Sequence, residues 1–168
     1  MRQLSRALTF VAVVAICMPR MVAGEIAQAG GSAGMYQVVK ACSLATVAEV
    51  KKLAPWAPHL DQFARAEEEP LGTYGSSCNY PTLFVQVMAF NRGTIDAARK
   101  AGAQEAVAGV GDEAYVRNNG NNYAELISRV GPHLLTLQLS INTGKTFEGE
   151  KPQLVELAKL IATRLRGK

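Results

Sequence analysis

The sequence predicts an α+β domain, with helices laid on an antiparallel sheet in a two-layer or sandwich arrangement. Three observations predict it. Leu135, Leu137, Leu139 and Ile141 alternate with Thr136, Gln138 and Ser140, the period-two pattern of a half-buried strand. Leu154, Leu157, Ala158, Ile161 and Leu165 recur at the spacing that puts them on one face of a helix. Between the β-prone residues 114–117 and 123–130 stands Asn118-Asn119-Gly120-Asn121-Asn122, a turn signal because Asn and Gly accept positive φ cheaply.

The first 24 of the 168 residues read as a secretory leader: a basic start at Arg2 and Arg6, an apolar run from Ala7 to Met18 too short to span a bilayer, and a small-residue cleavage site at Val22-Ala23-Gly24. Arg20, close to that site, leaves an uncleaved N-terminal anchor as the alternative. A lipid on Cys17 is not expected, because a lipobox wants a small residue before the cysteine and here stands Ile16. Residues 25–34, rich in Gly, Ala and Ser, are expected to be a flexible lead-in, and residues 35–168 a single domain.

Within the domain, Thr46 and Glu49 have the spacing of a capping box, and the helix they start is expected to stop at Pro55. Residues 55–72 are proline-broken, hold Trp56, His59 and Asp61, and include an acidic run, Glu67-Glu68-Glu69, that reads as a solvated loop in preference to a metal site. Residues 73–80 and 82–90 read as two strands joined at Pro81; Leu83 to Met88 is apolar on nearly both faces, which predicts a central, covered strand. Thr94 is the expected cap of a short helix ending near Gly102. Strands over 114–117, 123–130 and 135–141 should form a meander through the Asn/Gly turn and Gly131-Pro132, which would leave His133 exposed. Pro152 suits the first turn of the last helix, and Arg164, Arg166 and Lys168 suit the negative end of its dipole.

Several tempting motifs fail on context. Gly109-Val110-Gly111-Asp112-Glu113-Ala114 matches G-x-G-x-x-A, but a dinucleotide fingerprint must open a helix, and Tyr115-Val116-Arg117 leads instead to the Asn/Gly turn. The glycines are expected to make a tight bend into a strand. Gly144-Lys145-Thr146 lacks the first glycine of a phosphate loop, since position 139 is Leu139. Asp112 and Glu113 are neighbours on a strand and should point to opposite faces, which disfavours a carboxylate pair; Asp112 is expected to bond nearby backbone N–H groups.

Removing Arg2, Arg6 and Arg20 from 18 basic residues leaves 15 against 14 acids, so the apparent net charge of +4 falls to about +1. That gives no basic surface for nucleic acid. Cys42 and Cys78 also remain after cleavage. An even count in an exported chain predicts a disulfide, and the alternative is a metal pair, for which only His59 lies between them.

Cys42-Ser43-Leu44 leading into a helix, Cys78-Asn79-Tyr80 in a strand, and Gly109 to Ala114 resemble a family of small exported bacterial proteins of unknown function, many of them lipoproteins, over roughly residues 36–166. The resemblance implies the disulfide pair and a PsbP-like α/β sandwich, and it brings no catalytic residues.

The expectation is therefore an exported, non-enzymatic binding module of the periplasm or cell envelope. It would need no cofactor or metal and would not be an integral membrane protein after cleavage. Its partner would be a small apolar ligand or an envelope protein, with Trp56, Tyr74, Tyr115 and Tyr123 as candidate binding residues. The rival is a metal-dependent or acid/base hydrolase built on His59, Asp61, Asp112 and Glu113. The leader is checked by intact-mass measurement on envelope-fraction protein: a chain beginning near Glu25 is expected, and a full-length or diacylglycerol-bearing mass would overturn that reading.

Overall fold

The computed structural model describes residues 36–53, 66–101, 104–120, 123–141 and 145–168. The expected leader and lead-in, and the segment with Trp56, His59 and Asp61, lie outside the described residues. Residues Gly34–Lys168 group as one compact unit.

The capping box forms as its spacing predicts. The Glu49 carboxylate accepts the Thr46 N–H at 2.8 Å, and the Thr46 hydroxyl accepts the Glu49 N–H at 3.2 Å. They open helix α1, Val47–Leu53, after a 3-10 turn at Ala41–Ser43. The strands are β1 (Glu67–Pro70), β2 (Gly75–Asn79), β3 (Leu83–Ala89), β4 (Glu105–Ala106), β5 (Glu113–Asn118), β6 (Tyr123–Val130) and β7 (His133–Ser140). Helix α2, Arg92–Lys100, follows β3, and helix α3, Phe147–Arg166, closes the chain. All seven strands make one antiparallel sheet in the order β1-β2-β3-β7-β6-β5-β4.

Three local readings need correction, and one short strand is new. Glu67-Glu68-Glu69 is not a loop but an exposed edge strand, because pairing with β2 outweighs the low strand propensity of glutamate. Its acids and Pro70 make a poor template for further pairing. The two-residue β4 was not foreseen. Helix α2 is capped by Asn91, whose side chain accepts the Gly93 N–H at 2.8 Å, so it starts before Thr94. Helix α3 is capped by Thr146, which places Pro152 inside the helix, where it removes one ladder hydrogen bond, rather than in the first turn.

Strand alternation divides the sheet into two faces. One carries Leu83, Val85 and Val87 of β3, Leu135, Leu137 and Leu139 of β7, and Ala124, Leu126 and Val130 of β6. These bury against the α3 stripe of Leu154, Leu157, Ala158, Ile161 and Leu165, and against Leu44 and Val50. Each fully buried aliphatic side chain contributes about 1.5–3 kcal/mol of transfer free energy. On the opposite face, Ile95 and Ala98 of α2 cover Ile127 and Leu134, flanked by Met88, Phe90 and Tyr115. Arg92 and Arg99 of α2 pair with Glu113 at the rim of that contact. The result is an α+β sandwich with helices on both faces of the sheet.

Two cross-links tie the N-terminal residues down. Cys42 in the 3-10 turn is disulfide-bonded to Cys78 in β2, with Cα atoms 5.0 Å apart. Closing a loop with a sequence separation of 36 contributes roughly 3–4 kcal/mol in the chain-entropy view. Arg164 of α3, expected only to meet the helix dipole, donates to the Leu44 carbonyl and to the Glu49 carboxylate. The hydrogen bond from Arg164 holds Glu49 down to a pKa of about 2.

The Gly109 to Glu113 stretch is a bend into β5, as the sequence predicts. Gly109 and Gly111 have φ of 79° and 62°. A Cβ on Gly111 would lie 2.2 Å from the Arg129 carbonyl oxygen, because this bend lies directly on β6. The Asp112 N–H donates to that same carbonyl at 2.8 Å, and the Ser128 hydroxyl donates to Val110 O at 3.1 Å. A Cβ on Gly109 would meet only the Lys159 side chain, at 3.6 Å. Gly109→Ala should therefore lose about 1–2 kcal/mol for the left-handed backbone alone, and Gly111→Ala distinctly more, because backbone must move. Urea unfolding of both variants checks this; equal losses would remove the close-approach argument.

Candidate functional site

Among the described residues, those singled out in the sequence do not converge. Tyr74, 68% exposed, stands in the β1–β2 turn beside an open hollow shared with Tyr36 and Val38. Tyr123, 41% exposed, starts β6 and edges a separate hollow with Phe84, Gln138 and Ser140. Tyr115 lies under α2, its hydroxyl bonded to Glu113 and Arg99 and its ring beneath the Arg99 guanidinium. Asp112 and Glu113 diverge. Asp112 faces α3 and is bonded to Arg166, whereas Glu113 faces α2 and is bonded to Arg92, Arg99 and Tyr115. Hydrogen bonds hold both below the usual carboxylate range, from the Gly131 N–H for Asp112 and from Arg99 for Glu113. They are thus separate ionised acceptors, not a pair sharing a proton.

One end of the sheet does gather functional groups. The extended segment before the 3-10 turn brings Tyr36, the bend before β5 brings Asp112, the β6–β7 turn brings Gly131, the start of β7 brings His133, and the end of α3 brings Arg166. They line a cleft of about 460 Å³ whose apolar floor includes Val39, Val130 and Leu165.

His133 is the correction here. It was expected exposed after Gly131-Pro132, but it is the first residue of β7, paired with both Val130 and Ala89, and is only 6% exposed. Its Nδ1 lies 3.0 Å from the Tyr36 hydroxyl, and the two rings meet edge to face with centroids 5.5 Å apart. Burial lowers the His133 pKa and raises that of Tyr36. Both shifts favour the uncharged forms, so the bond joins two neutral groups near neutral pH.

Asp112 closes the other wall. One of its oxygens accepts the Gly131 N–H at 2.8 Å and the other accepts from Arg166 at 3.1 Å. Arg129 adds its charge at 3.9 Å. This carboxylate joins two loops and a helix end; each of its oxygens accepts a bond and its proton affinity is low, which suits a clasp better than a general base. Asp112 was expected to bond local backbone N–H groups; the donor it takes is instead Gly131, 19 positions away in sequence, because the bend lies beside the β6–β7 turn.

The chain matches no protein-family model, no curated protein and no solved structure. Among the described residues, no helix is long and apolar enough to cross a membrane. Sequence reasoning missed Tyr36 and His133 as partners. The one available signal was the Gly131-Pro132 turn, which puts the next residue close to the end of the sheet.

The depressed His133 pKa carries a sign. Between the unfolded value of 6.5 and the lower folded value, the unfolded chain binds the extra proton, so stability falls as pH drops through that window and is fully present above it. His133→Phe should flatten this dependence. NMR titration of the ring should give a midpoint below 6.5, and a midpoint at or above 6.5 would contradict its burial.

Proposed function

We propose that this protein is an exported, non-enzymatic binding module whose ligand occupies the cleft between Tyr36, His133 and Arg166. The single observation that carries the reading is the cleft itself: about 460 Å³, floored by apolar side chains and walled by a few fixed polar groups, the usual build of a small-molecule site. Its polar groups are pre-positioned by bonds to one another, so a ligand would meet a formed surface. An apolar body against Val39, Val130 and Leu165, with one polar end toward Arg166, is the ligand class this arrangement fits.

The disulfide supports an oxidising compartment, and with the leader it favours the periplasm or cell envelope. The PsbP-like resemblance belongs to this proposal too, since an α+β sandwich with helices on both faces is compatible with it. The divergence of Asp112 and Glu113 weighs against the hydrolase reading.

Native mass spectrometry of protein purified from the envelope tests the proposal. Wild-type protein should carry a bound small molecule, and Gln37→Trp, which narrows the cleft from an exposed rim position, should not. An unliganded mass for both proteins, or equal loading of both, would overturn it.

A further inference from the structure

A second place in the fold brings chemistry together independently of the cleft. The 3-10 turn, β1 and β2 meet where Cys42, Glu68 and Cys78 lie side by side. The two sulfurs and a Glu68 carboxylate oxygen are all within 4.8 Å of one another. Strand register fixes two of the three, because Glu68 is the direct cross-strand partner of Cys78. Hydrogen bonds fix the carboxylate: one oxygen accepts the Ala41 N–H at 2.9 Å and the other the Cys42 N–H at 2.7 Å. A carboxylate oriented by backbone donors, with lone pairs left over, is how protein ligands are held ready for an ion.

We infer that the Cys42–Cys78 bond masks a divalent-metal site, which a thiol reductant opens. A dithiol reductant attacks one sulfur of the disulfide and then closes its own ring; two electrons pass from it to the bond, its oxidised form leaves as a cyclic disulfide, and Cys42 and Cys78 become thiols. Zn²⁺ then displaces one proton from each thiol. Two thiolates and the Glu68 carboxylate make three anionic ligands, and water completes the tetrahedron. Zinc–sulfur bonds of about 2.3 Å set the sulfurs roughly 3.8 Å apart in such a site, a separation that side-chain rotation supplies once the bond is broken. Access favours attack at Cys42, which is only partly buried, whereas Cys78 is 0% exposed. Two thiolates select a borderline or soft cation, Zn²⁺ or Co²⁺, over Mg²⁺ or Ca²⁺.

The test uses Co²⁺ as probe on the full domain, reduced anaerobically with a phosphine, with the oxidised protein beside it. Expected is one Co²⁺ per reduced chain, with near-ultraviolet thiolate-to-cobalt absorption and the strong visible bands of tetrahedral geometry, displaced by Zn²⁺. Oxidised protein and Cys42→Ser should show neither. Glu68→Gln should bind at least about tenfold more weakly, since it removes an anionic ligand. Circular dichroism monitors the fold throughout. If reduction alone unfolds the domain, Zn²⁺ should restore the sheet signal in wild-type protein and not in Cys42→Ser. Absence of the cobalt bands, equal affinity in Glu68→Gln, or failure of Zn²⁺ to restore an unfolded reduced chain would each overturn the inference.

Discussion

The pairing of β3 with β7 is the constraint on which the rest depends. Strands β1 to β3 form one antiparallel ladder and β4 to β7 another, and chain connectivity alone would leave each with an open edge. Seven register pairs, from Leu83 opposite Leu139 to Ala89 opposite His133, fuse them into a single sheet. The fusion joins Val85 and Val87 to Leu135 and Leu137 in one continuous apolar face, wide enough for α3 on one flank and the 3-10 turn and α1 on the other. The pairing is non-local, so its loop-closure entropy must be met before any of this burial is gained. Two cross-links then fasten the elements that cover this face at the N-terminal side: the disulfide holds the 3-10 turn to β2, and Arg164 holds α1 to α3.

The same joint creates the cleft. His133 starts β7 and pairs with strands of both ladders, so its position is set by the fusion and not by the turn before it. Asp112 then ties the β5 bend to the β6–β7 turn and to the end of α3. The bend in turn requires Gly111, because nothing larger than hydrogen fits over the Arg129 carbonyl. The G-x-G-x-x-A pattern thus has a mechanical meaning: its glycines bring backbone onto backbone, and its aspartate fastens the result. No phosphate is needed to explain it.

What the sequence made legible was local. The Thr46/Glu49 box, the Asn/Gly turn before Tyr123, the alternation through Leu139 and the α3 stripe each record a free energy that neighbouring residues decide among themselves. The paired cysteines were legible for another reason, since an even count beyond the expected leader left few other fates. What stayed hidden was set by partners far away in sequence. The Glu67–Glu69 run becomes a strand only because β2 offers it an edge. Asn91 displaced Thr94 as a helix cap by engaging the Gly93 N–H two residues on, a local contest in which both residues are competent. The Tyr36–His133 contact spans a separation of 97 positions and leaves no periodic trace. The aromatics were legible as residues but not as a site, because Tyr74, Tyr115 and Tyr123 belong to three different surroundings.

Glu150 shows how the fold tolerates one local inconsistency. It continues the α3 stripe one turn before Leu154, is only 1% exposed, and has one carboxyl oxygen without a hydrogen-bond partner. Burial raises its pKa, with Lys145 opposing. A raised folded pKa means that whatever stability this group contributes is complete below the unfolded value of 4.5 and is lost as pH rises through the folded one. Glu49 and Asp112, with lowered values, act in the opposite sense and lose their contribution as pH falls. Helix α3 is therefore held to the fold by groups of opposite pH dependence: the Arg164 clasp on Glu49 and the Arg166 clasp on Asp112 at its C-terminal end, and a buried acid near its N-terminal end. The clasped end is the one that walls the cleft. As pH rises from 4.5 through the raised folded value of Glu150, the far end of the helix loses what that acid contributes while the cleft wall stays fastened, a consequence of how each carboxylate is surrounded and not of the total charge.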